Sequence, residues 1–305
     1  METIEPLVFF GQISSNEFEG SPAYLESLKH NFIADQATGL IEARPHPEEQ
    51  LFFLFAGGDL VGTYRHRDNQ SQPIAEKQAG IGWTTPTIPI QLITLSEVAG
   101  RVVWLRLEST VAERRQISGP DGWQALLATL HAQQFTGQVH LRSSACDALV
   151  LFWEGEPVPT ETVSSTPRGF EVGLAALSTH LVGPVQIVLT TFLPEHPSAQ
   201  YCALRLSAAR MTKKMLERYA NLAGQRLLQI LNDDLNRMIS TWHWRMRLNG
   251  SELLDRHFFA RLEDATHAYT LILQTMRQRI QATIGNMLMD NLLQETQTHL
   301  SPTLR

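Results

Sequence analysis

Gln134-Phe135-Thr136-Gly137-Gln138-Val139 matches the stretch Gln36-Ala37-Thr38-Gly39-Leu40-Ile41 that lies 98 positions earlier, with glutamine, threonine and glycine in the same places. The match continues outward on both sides. Arg44 meets Arg142, Leu51-Phe52-Phe53-Leu54-Phe55 meets Leu149-Val150-Leu151-Phe152-Trp153, Gly57 meets Gly155, and Leu60 meets Val158. Upstream, Leu28 meets Leu126 and Phe32 meets Leu130, so more than 30 residues align at one offset without a gap. A fixed offset of this kind is the mark of duplication, each copy being one folding unit.

Each copy predicts the same elements. Tyr24, Leu25, Leu28 and Phe32 recur at helical spacing, as do Trp123, Leu126, Leu127 and Leu130, with Pro22 and Asp121 where a helix would begin. Thr-Gly then closes the helical segment and opens a strand, Leu40–Arg44 or Gln138–Arg142. Polar loops at 45–50 and 143–147 lead to an almost unbroken apolar run, the pattern of a strand buried on both faces. Gly57-Gly58-Asp59 and Glu154-Gly155-Glu156 supply hairpin turns into a third strand. The second copy continues with Phe170, Leu174, Leu177 and Leu181 on one helical face, then Gly183-Pro184 and a strand Val185–Thr191. In the first copy the expected counterpart is Val98-Ala99-Gly100 followed by a strand Arg101–Glu108, after an insertion at 80–90. The common unit is α-β-β-β-α-β, giving a helix–sheet sandwich per copy or one composite sheet.

From 203 onward glycine nearly vanishes. Met215, Tyr219, Leu222, Leu227, Ile230, Leu231, Leu235, Met238 and Trp242 follow one continuous helical stripe, and a second helix is expected from about Glu263 to Glu295. Between them Trp242–Leu248 alternates in strand period and Asn249-Gly250 is a strong hairpin signal, with Asp255–Phe259 as the return arm or a turn. The fold class is therefore α/β (α+β): two tandem α-β-β-β-α-β units at 1–112 and 113–202, then a helix–β-hairpin–helix region at 203–305. Two long striped helices need a partner surface, and a homodimer through them is one expectation.

The order of Thr-Gly, strand, apolar strand, Gly-acidic turn and strand resembles the PATAN domain, a bacterial signalling domain. The second copy carries the resemblance at Thr136-Gly137, Phe152-Trp153-Glu154-Gly155-Glu156-Pro157-Val158 and Gly169-Phe170-Glu171-Val172. The first departs, with Ala56-Gly57-Gly58-Asp59 at the turn and an insertion before its last helix. The likeness covers 115–195 and, more weakly, 20–110. It implies signalling by protein contacts, near response regulators and small GTPases, and brings no catalytic residue with it.

The 305 residues are 43% hydrophobic and 18% charged, enough for packed cores. No apolar run approaches the roughly 18 residues of a membrane span, and acidic Met-Glu-Thr-Ile-Glu-Pro is unlike a secretion signal. Cys146 and Cys202 give no disulfide framework or cysteine zinc site, so a reducing cytoplasm is expected. The net charge of −6 is uneven: −7 over 1–112, −4 over 113–202 and +5 over 203–305.

Candidate chemistry is sparse. The eleven histidines form no His-Glu-x-x-His or His-x-His, and His243, His257 and His267 have no ligand spacing. Gly80-Ile81-Gly82-Trp83-Thr84-Thr85 lacks the third glycine and the capped helix of a phosphate loop. Arg205, Arg210, Lys213, Lys214 and Arg218 could meet phosphates, but they lack interleaved aromatics in an acidic chain; docking on the acidic repeats or on an acidic partner is the simpler expectation. No catalytic, cofactor-binding or metal-ligating residue is assigned, and no nucleic-acid or membrane partner. The reading is a non-catalytic cytoplasmic signalling adaptor that binds a protein partner. A small-molecule sensor, with a site between the repeats or near the Trp-rich hairpin, is the alternative, and an enzyme assembled from distant residues is a third class.

Overall fold

Both Thr-Gly pairs turn out to be locks that fasten a helix end, a strand and a hairpin turn together. The computed structural model describes residues 12–13, 17–67, 70–79, 86–166, 169–174, 177, 181 and 183–285. The chain divides into two compact units, residues 1–198 and 199–305.

The first unit runs β1 (Gln12–Ile13), β2 (Phe18–Gly20), α1 (Pro22–Ala34), β3 (Gly39–His46), β4 (Glu49–Ala56), β5 (Asp59–Arg67), β6 (Gln70–Ile74), α2 (Glu76–Ala79), β7 (Ile88–Thr94) and α3 (Glu97–Leu107). It continues β8 (Ser109–Ser118), α4 (Gly119–Ala132), β9 (Gly137–Arg142), β10 (Asp147–Trp153), β11 (Glu156–Thr166), β12 (Gly169–Val172) and β13 (Pro184–Phe192). Two antiparallel sheets result. The first has the order β7-β3-β4-β5-β6, with β1 and β2 sharing the outer side of β7; the second has the order β8-β13-β9-β10-β11-β12. The orders correspond strand for strand, so the duplication holds in three dimensions and each sheet comes from one continuous stretch of chain.

α1 starts where Ser21 Oγ accepts the Tyr24 N–H and Pro22, which has no N–H to leave unbonded, takes the first turn. Its Leu25, Leu28 and Phe32 pack on Ile41, Ala43, Leu51, Phe53 and Phe55 of the first sheet. In the second copy Trp123, Leu126 and Leu130 pack on Val139, Leu141, Ala148, Val150 and Phe152. Each helix stops at a glutamine in the left-handed region, Gln36 and Gln134, both with φ of 49°. The next threonine accepts a turn N–H: Thr38 Oγ1 from Gly57 at 3.0 Å, Thr136 Oγ1 from Glu154 at 2.9 Å. The second turn residue, Gly58 or Gly155, donates to the carbonyl of Ala37 or Phe135 at 2.9 Å. Glycine follows the threonine because a Cβ would lie 2.4 Å from the Ile93 carbonyl at Gly39 and 2.2 Å from the Thr190 carbonyl at Gly137.

These bonds correct the alignment. Gly58, not Gly57, is the counterpart of Gly155, and Phe55, which pairs with Gly39, is the counterpart of Phe152, which pairs with Gly137. The offset is 98 at the Thr-Gly pairs but 97 along β4 and β10. An irregularity between Ala43 and His46 takes up the extra residue, since a one-residue slip would turn the apolar set onto the wrong face.

Arg101–Glu108, expected as a strand, lies in α3 and its C-terminal cap, and Ser96 Oγ caps the helix by accepting the Ala99 N–H. The helix touches β4 of the first sheet and β11 of the second. It is therefore buried nearly all round, which erases the one-sided stripe that would have marked it. Val98 and Val102 pack on Leu149 and Val163, each fully buried aliphatic side chain contributing about 1.5–3 kcal/mol. The strand completing the first sheet is β7, partly inside the presumed insertion, while 80–85 lie outside the described residues. β8, which follows α3, joins the second sheet by pairing with β13. Phe170 lies in β12, so it does not belong to the expected helical face; Leu177 and Leu181 join the core under α4.

The second unit contains α5 (Pro197–Ala223) from Ala199 onward, α6 (Gln225–Thr241), a hairpin of β14 (Met246–Asn249) and β15 (Glu252–Asp255), and α7 (Leu262–Ile284). The expected continuous stripe through Met215 and Trp242 is broken by Gly224 at φ 87°. α6 and α7 pack antiparallel: Trp242 meets His267 near one end, and Arg279 Nε meets Asp234 Oδ2 at 2.9 Å further along. Met215, Leu216, Tyr219, Leu228, Leu231, Leu235, Leu248, Met276 and Ile280 form the core. Asn236 holds the hairpin to α6 by donating to the Leu248 carbonyl at 3.0 Å and accepting its N–H at 2.7 Å, while Asn232 donates to the Gly250 carbonyl. The expected strand from Trp242 begins only at Met246, and the return arm is 252–255, so that of 255–259, expected as return arm or turn, only Asp255 lies in the strand; residues 286–295 of the expected last helix lie outside the described residues.

Candidate interaction surface

The buried ionisable groups come first, since a reaction centre would need some of them. Arg101 on α3 makes a two-pronged contact with Glu161 on β11, Nε to Oε2 at 3.2 Å and Nη2 to Oε1 at 2.9 Å, both side chains 2% exposed. Glu108, at the end of α3, accepts from Tyr64 Oη at 2.9 Å, Trp104 Nε1 at 3.1 Å and the Ser198 N–H at 3.0 Å. Burial first, and the Glu108 charge second, push the Tyr64 phenol well above its ordinary range. Gln138 Nε2 donates to the Val102 carbonyl. These contacts tie α3 to both sheets.

In the second unit Asp255 Oδ2 accepts from Arg205 Nε at 2.8 Å and from Tyr269 Oη at 2.6 Å, and its Oδ1 takes the His257 N–H at 2.9 Å. Burial and then Asp255 raise the Tyr269 phenol. Arg205 thus leaves the basic cluster named from sequence, being 5% exposed and committed to Asp255. Lys213 lies 3.9 Å from Glu252. Among the described residues no group of three His, Cys, Asp or Glu side chains could hold a metal ion.

His66 stands apart. Its Nδ1 meets Ser71 Oγ at 2.9 Å, its Nε2 has no partner, and burial followed by the Arg106 charge lowers it to about 4. An imidazole that weakly basic is neutral at pH 7 and a poor proton acceptor. Cys146 is likewise pushed up to about 11 by burial, then by Asp147 and Glu171, which keeps it a thiol.

The outer surface of the second unit is different. Leu222, Leu227 and Ile230 flank the Gly224 break and are 53%, 37% and 54% exposed. Trp242 is 49% exposed and stacks on Trp244 with centroids 5.4 Å apart and planes 14° from parallel. His243, in the left-handed region at φ 58°, makes the turn between them. Leu254 is also exposed on β15. No family model, curated protein or solved structure matches the chain. Among the described residues no helix is long and apolar enough to cross a membrane.

Sequence reasoning missed that Leu222, Leu227 and Ile230 point outward, because it ran one stripe through the break. Gly224 was the available signal. The Gly80–Thr85 segment lies outside the described residues; of the histidines named from sequence, His267 edges Trp242 and His257 edges Phe259.

Proposed function

We propose that this protein is a non-catalytic cytoplasmic adaptor in bacterial signalling, of the PATAN kind in its repeats, which binds a protein partner through its C-terminal helices. A response regulator or small GTPase is the partner class. The observation that carries this reading is the exposed trio Leu222, Leu227 and Ile230 beside the Gly224 break. Apolar side chains grouped on a surface are favoured docking sites, since covering them releases water and costs no polar desolvation. The buried carboxylates and arginines support it from the other side, because their partners are structural neighbours.

Affinity purification from the native host with the full chain, in parallel with a Leu227→Asp/Ile230→Asp variant, tests this. A response regulator or GTPase retained by the first and lost by the second, with the variant still folded by circular dichroism, is the expected result. Equal capture by both chains would reject the surface, and a co-purifying metabolite without protein would move the function to sensing. Light scattering on the same pair reads whether the surface also joins two copies.

A further inference from the structure

The outward face of the β14–β15 hairpin bears arginines on both strands. Strand alternation puts Met246, Leu248 and Asp255 inward, where they are buried, and leaves Arg245, Arg247, Leu254 and Arg256 exposed on the other side. Arg247 pairs across the ladder with Leu254. One step on, Arg256 donates its backbone N–H to the Arg245 carbonyl at 2.9 Å, so two guanidinium-bearing residues stand opposite each other. The one acidic residue of the face, Glu252, sits opposite Asn249 at the turn end, beside Lys213. Asp255 points inward and is taken by Arg205 and Tyr269. At the foot of the hairpin lies the exposed Trp242.

We infer that this face is a recognition site for an acidic, leucine-containing segment of a protein partner. Arg247 and Arg256 meet the carboxylates and Leu254 covers an apolar side chain between them. Arginine suits this role, as its planar fork binds carboxylate by two hydrogen bonds. Nucleic acid fits less well, since phosphate tracking calls for a broad basic field and Glu263 and Asp264 open the nearby α7. The inference deepens the adaptor reading and rests on it, naming the chemistry of the partner.

The test is fluorescence anisotropy of the full chain with a labelled decapeptide of alternating Glu and Leu, a Lys–Leu decapeptide and a labelled ten-residue oligothymidylate. The Glu–Leu peptide is expected to bind, to weaken at least tenfold in Arg247→Glu/Arg256→Glu, and to weaken again between 50 and 300 mM salt, roughly as exposed charge pairs do. The Arg247→Lys/Arg256→Lys variant, which keeps the charge and loses the fork, is expected to bind more weakly than the parent and more tightly than the charge-reversed chain, which separates charge recognition from misfolding. Unchanged affinity in the charge-reversed chain, equal binding of the Lys–Leu peptide, or tighter binding of the oligonucleotide would overturn the site. The titration uses no captured partner, so it can fail while the Leu227/Ile230 purification succeeds, or the reverse.

Discussion

Arg101 and Glu161, 60 residues apart in sequence, form a buried two-bond pair that fastens α3 to β11 of the second sheet. Removing one member leaves a buried charge without its counter-ion, which costs about 3–5 kcal/mol, whereas an apolar pair of similar volume can be neutral or better. Arg101→Met and Glu161→Leu are each expected to lower the urea midpoint strongly, and the double variant to recover most of the loss. Equal loss in the double variant would show that the charges themselves stabilise the sheet packing.

The Thr-Gly lock makes a graded prediction. Gly137→Ala drives a Cβ onto the Thr190 carbonyl and is expected to cost about 3 kcal/mol, as overpacking does. Gly119→Ala, at φ +56° with open space around its Cβ position, pays only the left-handed backbone penalty of about 1–2 kcal/mol. Thermal unfolding should therefore rank the two variants in that order.

How far the sequence went can be judged at these positions. Thr136-Gly137 was legible because both residues repeat, and the helices at Pro22 and at 119–132 announce themselves by spacing. The one-residue slip along β4 was not, since Phe52-Phe53-Leu54-Phe55 and Val150-Leu151-Phe152 are apolar on both faces and look alike at either offset. α3 was hidden for a related reason: Val102-Val103-Trp104-Leu105 is a short apolar run rich in β-branched residues, which periodicity cannot assign to helix or strand. Only the second sheet, folded from residues further along, decides the matter. The exposed trio was hidden because one stripe, run from Met215 to Trp242, passes over Gly224.

His66 gives the pH dependence a direction. Its folded value of about 4 lies below the ordinary 6.5, so between these limits the unfolded chain binds the extra proton. Stability is whole above about pH 6.5 and falls as pH drops toward 4. His66→Gln should flatten that part of the curve relative to the parent, measured by urea midpoints at pH 7, 5.5 and 4. The difference between the two chains isolates His66 from Glu42, whose burial raises it and gives the opposite slope.

Asn236 fixes the hairpin on α6 through two bonds to Leu248. Asn236→Ala is expected to cost about 2 kcal/mol, roughly two net hydrogen bonds, and to speed hydrogen exchange at Leu248 and its strand neighbours. Unchanged exchange there would place the anchor elsewhere.

Each sheet being one continuous stretch has a consequence for synthesis. Once residue 94 has left the ribosome, every described strand of the first sheet is available to pair, and pairing needs nothing from downstream. The helix that follows is less fortunate. Its guanidinium at 101 must stay in water until position 161 emerges, so the joining of the two halves is timed by translation of the third strand of the second copy.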